Sequence, residues 1–234
     1  MNFSTILLLV VLIIVVYVVI KFSSDGSTSL TNTMHDGQTE TKIAASDLPA
    51  GNNTSNYTYS IWFYINDWNY KFGSPKTVFT RESSSGDEQT PSVVLAPMEN
   101  NLTISVSVFP ENDTHAVLHT CNVENVQLQK WVNLIVSLNG RSLDVYIDGK
   151  LVRTCVLPGV AKVNANYDVL LTPEGGFDGF TSSFKYLPEA INPQQAYDIY
   201  KEGYGGGPLG GFFEKYKIKV AYLVDNEEKT SFEI

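Results

Sequence analysis

Leu143-Asp144-Val145-Tyr146-Ile147-Asp148-Gly149-Lys150-Leu151-Val152-Arg153 decides the fold. Leu143, Val145 and Ile147 alternate with Asp144 and Tyr146, the period of a strand with one buried face. Asp148-Gly149 is a strong two-residue turn signal, because both central positions of such a turn want positive φ. The chain should therefore double back as a hairpin. The register implied by that turn sets Val145 opposite Val152, facing inward, and Asp144 opposite Arg153 on the other face. That exposed ion pair would contribute only about 0.2–1 kcal/mol, so it would fix register more than stability.

The same period of two extends in both directions. Tyr57, Tyr59, Ile61, Phe63 and Ile65 alternate with Thr58, Ser60, Trp62 and Tyr64. Leu102, Ile104, Val106 and Val108 alternate with Thr103, Ser105 and Ser107, and Val132, Leu134, Val136 and Leu138 with Asn133, Ile135 and Ser137. Turn clusters separate these runs: residues 83–87, 99–101 and Asn139-Gly140. Many short strands at such spacing predict an antiparallel sandwich or barrel. One soluble helix is signalled. Asn192 suits an N-cap, Pro193 suits N1, Ala196, Ile199 and Tyr200 form a stripe, and Gly203 fits C′. After Gly205-Gly206-Gly207-Pro208, the tail Tyr216–Val224 and Lys229–Ile234 could form a further hairpin.

Upstream, Ile6–Ile20 reads ILLLVVLIIVVYVVI without a polar break. With its flanks it makes about 20 residues, or roughly 30 Å of helix, one hydrocarbon core. Met1–Thr5 has no basic residue, and Lys21-Phe22-Ser23-Ser24 is a poor cleavage site. An uncleaved anchor over 1–22 is therefore preferred to a cleaved signal peptide. Lys21 leans the C-terminal side toward the cytosol, but one residue does not decide topology. Residues 23–41 are rich in Ser, Thr, Gly and Asp and predict a flexible linker. As a coil it would span roughly 25 Å, and fully stretched about 65 Å.

Composition narrows the function. The 234 residues are 43% hydrophobic and 12% aromatic, which excludes disorder throughout. The net charge is -9 and no basic stripe exists, which argues against nucleic acid. The sequence holds no nucleophile elbow, zinc-protease helix motif, Cys-x-x-Cys or P-loop. His115 and His119 would sit about 13 Å apart on a strand, too far to share a metal unaided. No pair of acids at alternating strand positions marks a glycosidase, although acids from separate loops could still meet. Calcium would suit the turn acids Asp87, Glu88, Asp113, Asp168, Glu174 and Asp178, yet none forms a dense calcium loop, and solvation is the plainer role. Trp68 and Tyr70, just after the first long strand, are the candidate contacts for a sugar face or a partner. Core packing is weighed equally. Cys121 and Cys155 would pair in an oxidising compartment and stay buried thiols in the cytosol. Asn52, Asn53, Asn56, Asn101 and Asn112 begin glycosylation sequons, of which a chain so rich in Asn, Ser and Thr would carry several by chance.

Leu128-Gln129-Lys130-Trp131-Val132-Asn133, the hairpin above, Gly176-Phe177-Asp178-Gly179-Phe180 and the helix 192–203 together resemble the concanavalin A-like, laminin G-type domain. The resemblance covers about 42–203 and implies a two-sheet antiparallel jelly-roll sandwich, leaving 204–234 as a Gly-rich segment with a hairpin tail. Tyr64–Tyr70, Val152–Gly159 and Pro193–Tyr197 further resemble membrane-anchored members carried by large double-stranded DNA viruses. That likeness implies a minor capsid or virion component. The family's calcium ligands and the catalytic acids of related glucanases do not map onto this chain. The leading expectation is a non-enzymatic, single-pass membrane module joining an inner viral membrane to protein partners in a shell, with no cofactor. The alternative is a glycan-binding, lectin-like module, with or without calcium. A glycoside hydrolase comes third.

Overall fold

The computed structural model describes residues 28–31, 33–50, 55–83, 85–110, 115–205, 219–224 and 227–233. The predicted anchor, 1–22, lies outside them. Among the described residues no helix is long and apolar enough to cross a membrane.

The strands are β1 (Thr28–Thr31), β2 (His35–Asp36), β3 (Thr41–Ile43), β4 (Tyr57–Asp67), β5 (Lys76–Glu82), β6 (Gln89–Leu95), β7 (Leu102–Pro110) and β8 (Val117–Val123). They continue as β9 (Trp131–Asn139), β10 (Ser142–Ile147), β11 (Lys150–Val156), β12 (Gly159–Ala161), β13 (Val169–Leu171), β14 (Asp178–Leu187), β15 (Lys219–Val224) and β16 (Glu227–Glu233). The helix α1 is Pro193–Lys201. All strand pairs are antiparallel, in two seven-stranded sheets. One runs β1-β14-β4-β9-β10-β11, with β2 beside β14. The other runs β12-β7-β6-β5-β13-β3, with β8 beside β7. The tail strands β15 and β16 pair with each other.

The core between the sheets is built from the predicted alternation. Tyr57, Tyr59, Ile61, Phe63 and Ile65 of β4 meet Ile104, Val106, Phe79, Val93 and Leu171 of the opposite sheet, all buried. Such burial contributes about 1.5–3 kcal/mol for each large side chain. The helix begins as its sequence signals: the Asn192 side chain accepts from Gln195 N, and Gln195 Oε1 accepts from Asn192 N, a reciprocal cap.

Two expectations change. The hairpin turn forms as read, with Asp148 and Gly149 at φ 50° and 71° and Ile147 opposite Lys150. A bulge then inserts one extra residue on β11, so Val145 faces Arg153, and Asp144 faces Thr154 instead of Arg153. Thr154 Oγ1 donates to Asp144 Oδ1 at 2.6 Å, replacing the expected ion pair. The second change concerns the linker. Residues read as flexible contribute β1 and β2, which pair with β14, and β3, which starts within that stretch and pairs with β13. Two- to four-residue strands are too short to show a period, which is why composition alone read them as coil.

Cys121 and Cys155 form a disulfide across a sequence separation of 34. It joins edge strand β8 of one sheet to edge strand β11 of the other, closing one side of the sandwich. Closing a loop of this length restricts the unfolded chain by an amount equivalent to about 4 kcal/mol.

Candidate functional site

Register determines what the outer face of the β4 sheet presents. Because Phe63 and Ile65 point into the core, Trp62 and Tyr64 point out. Three cross-strand rows follow. Lys185, Ser60, Ile135 and Tyr146 form the first. Ser182, Trp62 and Asn133 form the second. Asp36, Phe180, Tyr64 and Trp131 form the third, at the end of the sheet where β4 finishes.

Helix α1 covers the first row: Ala196 and Ile199 pack with Ile135, Tyr146, Leu187 and Ile191 in a second buried cluster. The last turn of the helix and the chain leaving it cover the second, with Tyr200 stacked on Trp62 at 5.5 Å and Tyr204 edge-on to it at 5.8 Å. Tyr204 is fixed there because its carbonyl accepts from Ser182 Oγ and Ser183 Oγ, at 2.5 and 3.1 Å. Its ring also stacks on Trp131, at 4.5 Å and 8°. The third row is covered at Trp131 by Tyr204 and is open toward Phe180. Phe180 is 39% exposed, and Tyr64 and Trp131 are half-buried. Ring centroids are 6.5 Å apart from Phe180 to Tyr64 and 5.8 Å from Tyr64 to Trp131.

A polar row borders these rings. Asp178 accepts from Gln38 Nε2 on one oxygen and from Asn66 Nδ2 on the other, both at 2.9 Å. Gln129 N donates to Ile65 O at 2.9 Å, which hooks the loop before β9 onto the end of β4. Its Nε2 reaches Asn66 O at 3.4 Å. Gln38, Asn66 and Gln129 are exposed. A carboxylate offers about four acceptor positions, so Asp178 keeps acceptor capacity beyond these two bonds. The row depends on Gly179. A Cβ there would lie 1.9 Å from the Tyr64 carbonyl oxygen, and φ is +153°. Only glycine lets β14 approach β4 closely enough to set Phe180 beside Tyr64.

The residues singled out from sequence lie elsewhere. Trp68 and Tyr70 are half-buried in the β4–β5 loop. The Trp68 indole N–H donates to Met98 O at 3.3 Å, and its ring lies 4.4 Å from the Lys76 ammonium. Tyr70 OH donates to Gly175 O at 2.9 Å. Both tie the loop end together. The turn acids are dispersed. Glu88 bonds Lys162 and Tyr167, Asp168 bonds Lys42 and the Ala45 N–H, and Asp178 belongs to the polar row. Asp113 lies outside the described residues. Among the described residues no group of three His, Cys, Asp or Glu side chains is placed to hold a metal ion. Sequence reasoning missed the row itself. The available signal was aromatic residues at outward positions of a strand, Trp62 and Tyr64.

A family model for laminin G-type domains, described as the concanavalin A-like lectin/glucanases superfamily, matches residues 35–195. The chain belongs to that superfamily. No curated protein sequence matches it. Among solved structures it is similar to the receptor-binding domain of botulinum neurotoxin D, at 12% identity and a TM-score of 0.53, covering 79% of this chain and 50% of that one. It is also similar to the botulinum neurotoxin serotype D ligand-binding domain in complex with N-acetylneuraminic acid, at 12% identity and TM-score 0.51, covering 75% and 49%. The C/D mosaic serotype's receptor-binding domain matches at 12% identity and TM-score 0.51, covering 65% and 39%. The chain therefore spans half or less of these domains, and at such identity the likeness establishes the shared sandwich alone.

Proposed function

We propose that this chain is a glycan-binding module of the concanavalin A-like superfamily, with the sugar laid across Phe180 and Tyr64 beside the Trp131 ring that Tyr204 covers. The observation that carries this reading is the pairing of an open aromatic row with the amide–carboxylate chain Gln38–Asp178–Asn66. Apolar ring faces suit the C–H face of a sugar, while fixed donors and acceptors alongside suit its hydroxyls. The neurotoxin D domain seen with N-acetylneuraminic acid gives a precedent for sugar binding in a chain that contains this fold. It supports the class of ligand without locating the site, since less than half of that chain is matched. Binding without turnover is part of the proposal, because the catalytic acids of related glucanases do not map onto this chain.

The test is a glycan array with the full-length chain in a detergent free of sugar headgroups, run with calcium and with chelator. Reproducible binding that Phe180→Ala reduces about tenfold, with unchanged melting temperature, supports the reading; that loss equals about 1.4 kcal/mol. Binding unaffected by Phe180→Ala would move the site elsewhere, and silence from folded protein would sink it. The reading as a membrane-anchored component of a viral shell rests on the apolar stretch Ile6–Ile20 and on resemblance. It concerns where the module is held, and recovery of the chain in purified particles would test it.

A further inference from the structure

The aromatic row sits in an acidic setting. Asp36 stands on the row itself, opposite Phe180, and is exposed. Its carboxylate accepts from Gln38 N at 2.9 Å, which holds it at the β2–β14 margin. Asp178 lies one position beyond Gly179 in the polar row, and it pairs in register with Asp67. The Asp67 carboxylate is turned toward Asn69 by bonds from its N and Nδ2, both 2.9 Å. Asp148 accepts from Asn133 N at 3.0 Å on the far side of the row. Among the described residues the nearest cation in sequence is Lys130, which precedes Trp131 and is exposed. Lys71 is directed to Glu174 O at 2.7 Å in the neighbouring loop, and Lys185 is paired with Glu202. Asp36 and Asp178 thus lie on and beside the row, with Asp67 and Asp148 farther out and Lys130 and Lys150 the exposed cations flanking it in sequence, on a chain of net charge -9.

We infer that this surface selects neutral or amine-bearing hexoses and rejects carboxylate-bearing sugars such as sialic and uronic acids. The inference rests on the glycan-binding reading above and sharpens it. A neutral hydroxyl donates to the acceptor positions left on Asp178 and accepts from the amides of Gln38, Asn66 and Gln129. An ammonium gains from the same field. A ligand carboxylate would add a like charge to Asp36 and Asp178 within a few ångströms, and juxtaposed like charges are a main source of discrimination between partners. The chain would then differ in ligand charge from the neurotoxin D domain seen with N-acetylneuraminic acid.

The experiment uses the full-length chain in nanodiscs of glycolipid-free lipid. It compares matched glycan pairs on one surface: each neutral oligosaccharide with its sialylated form, and N-acetylated with de-N-acetylated hexosamine oligomers. The expected result is at least about tenfold weaker binding of each sialylated partner, a gap that narrows at high salt as the repulsion is screened. Asp36→Asn keeps the acceptor for Gln38 N while removing one charge. It should narrow the ratio of neutral to sialylated binding several-fold. Equal or tighter binding of the sialylated forms overturns the inference and leaves the glycan-binding reading standing. A gap that Asp36→Asn does not narrow overturns the assignment of selectivity to this row. Absence of binding to every member of the set removes both.

Discussion

Two aromatic groups stand at the same end of this sandwich, and they have different fates. Trp68 and Tyr70 lie in a loop; Tyr64, Trp131 and Phe180 lie on regular strands. Four of the five are half-buried and Phe180 is exposed, so exposure separates the groups poorly. The polar edges and the neighbours separate them better. The loop pair has its N–H and O–H committed to backbone carbonyls, and the indole ring covers a buried ammonium. The strand group is aligned by sheet register and bordered by groups with hydrogen-bonding capacity to spare. An aromatic loop can thus be a clasp, and an aromatic strand face can be a surface.

The largest expected effect strikes both groups together. Replacing Cys121 and Cys155 with Ala releases the two edge strands, and the loss should be about 4 kcal/mol in denaturant-derived stability. A loss under about 1 kcal/mol would mean the bridge does not constrain the unfolded chain as the loop-closure argument requires. Next comes a pair of substitutions that should separate the groups. Trp68→Ala removes a half-buried ring packed against the core and uncovers Lys76, and should cost about 2–3 kcal/mol of stability. Phe180→Ala, at an exposed position, should cost less than about 1 kcal/mol, with its main effect on ligand binding. If Trp68→Ala left stability intact and removed binding, the assignments of clasp and surface would exchange places.

Much of the fold was legible because a period of two states directly which side chains face the core. The strands β4, β7, β9 and β10 follow from it, Asp148-Gly149 marks its turn, and the helix follows from its own cap and stripe. Register was less legible. One inserted residue at Val152 moved Arg153 away from Asp144, and no local pattern in Lys150–Val156 announces a bulge. The aromatic row was less legible still. Its members come from residues 64, 131 and 180, and only strand order β14-β4-β9 makes them neighbours. Periodicity also identifies the outward face without telling which part of it a helix will cover. Trp62 and Tyr64 look equivalent in sequence, yet Tyr200 stacks on the first and the second remains on the open row.

The smallest effect probes the clasp from beneath. Lys76 is 1% exposed, and its Nζ reaches only as near as 3.5 Å to Pro97 O, with the Trp68 ring as its other neighbour. Burial, and then the charge of Lys71, hold the Lys76 ammonium below the usual lysine range. The folded chain therefore binds this proton less tightly than the unfolded chain does, and stability at this site must rise with pH. The penalty for a buried charge is full below the folded pKa. It fades as pH climbs through that value toward the unfolded one, near about 10.4. Lys76→Met keeps an unbranched stem without the charge. At neutral pH it should equal or exceed the parent in stability, by about 1 kcal/mol or less. Buried Tyr57 and Tyr59, whose phenols burial raises above their ordinary range, resist ionisation in the fold and complicate the alkaline limb of either protein alone. The difference between the two proteins cancels them. That difference, followed by denaturation from pH 7 to 10, should narrow as pH rises. A constant difference would show that Trp68 offsets the burial penalty, and a widening one that it stabilises the charged lysine more than burial disfavours it; the loop would then resemble a cation site more than a clasp.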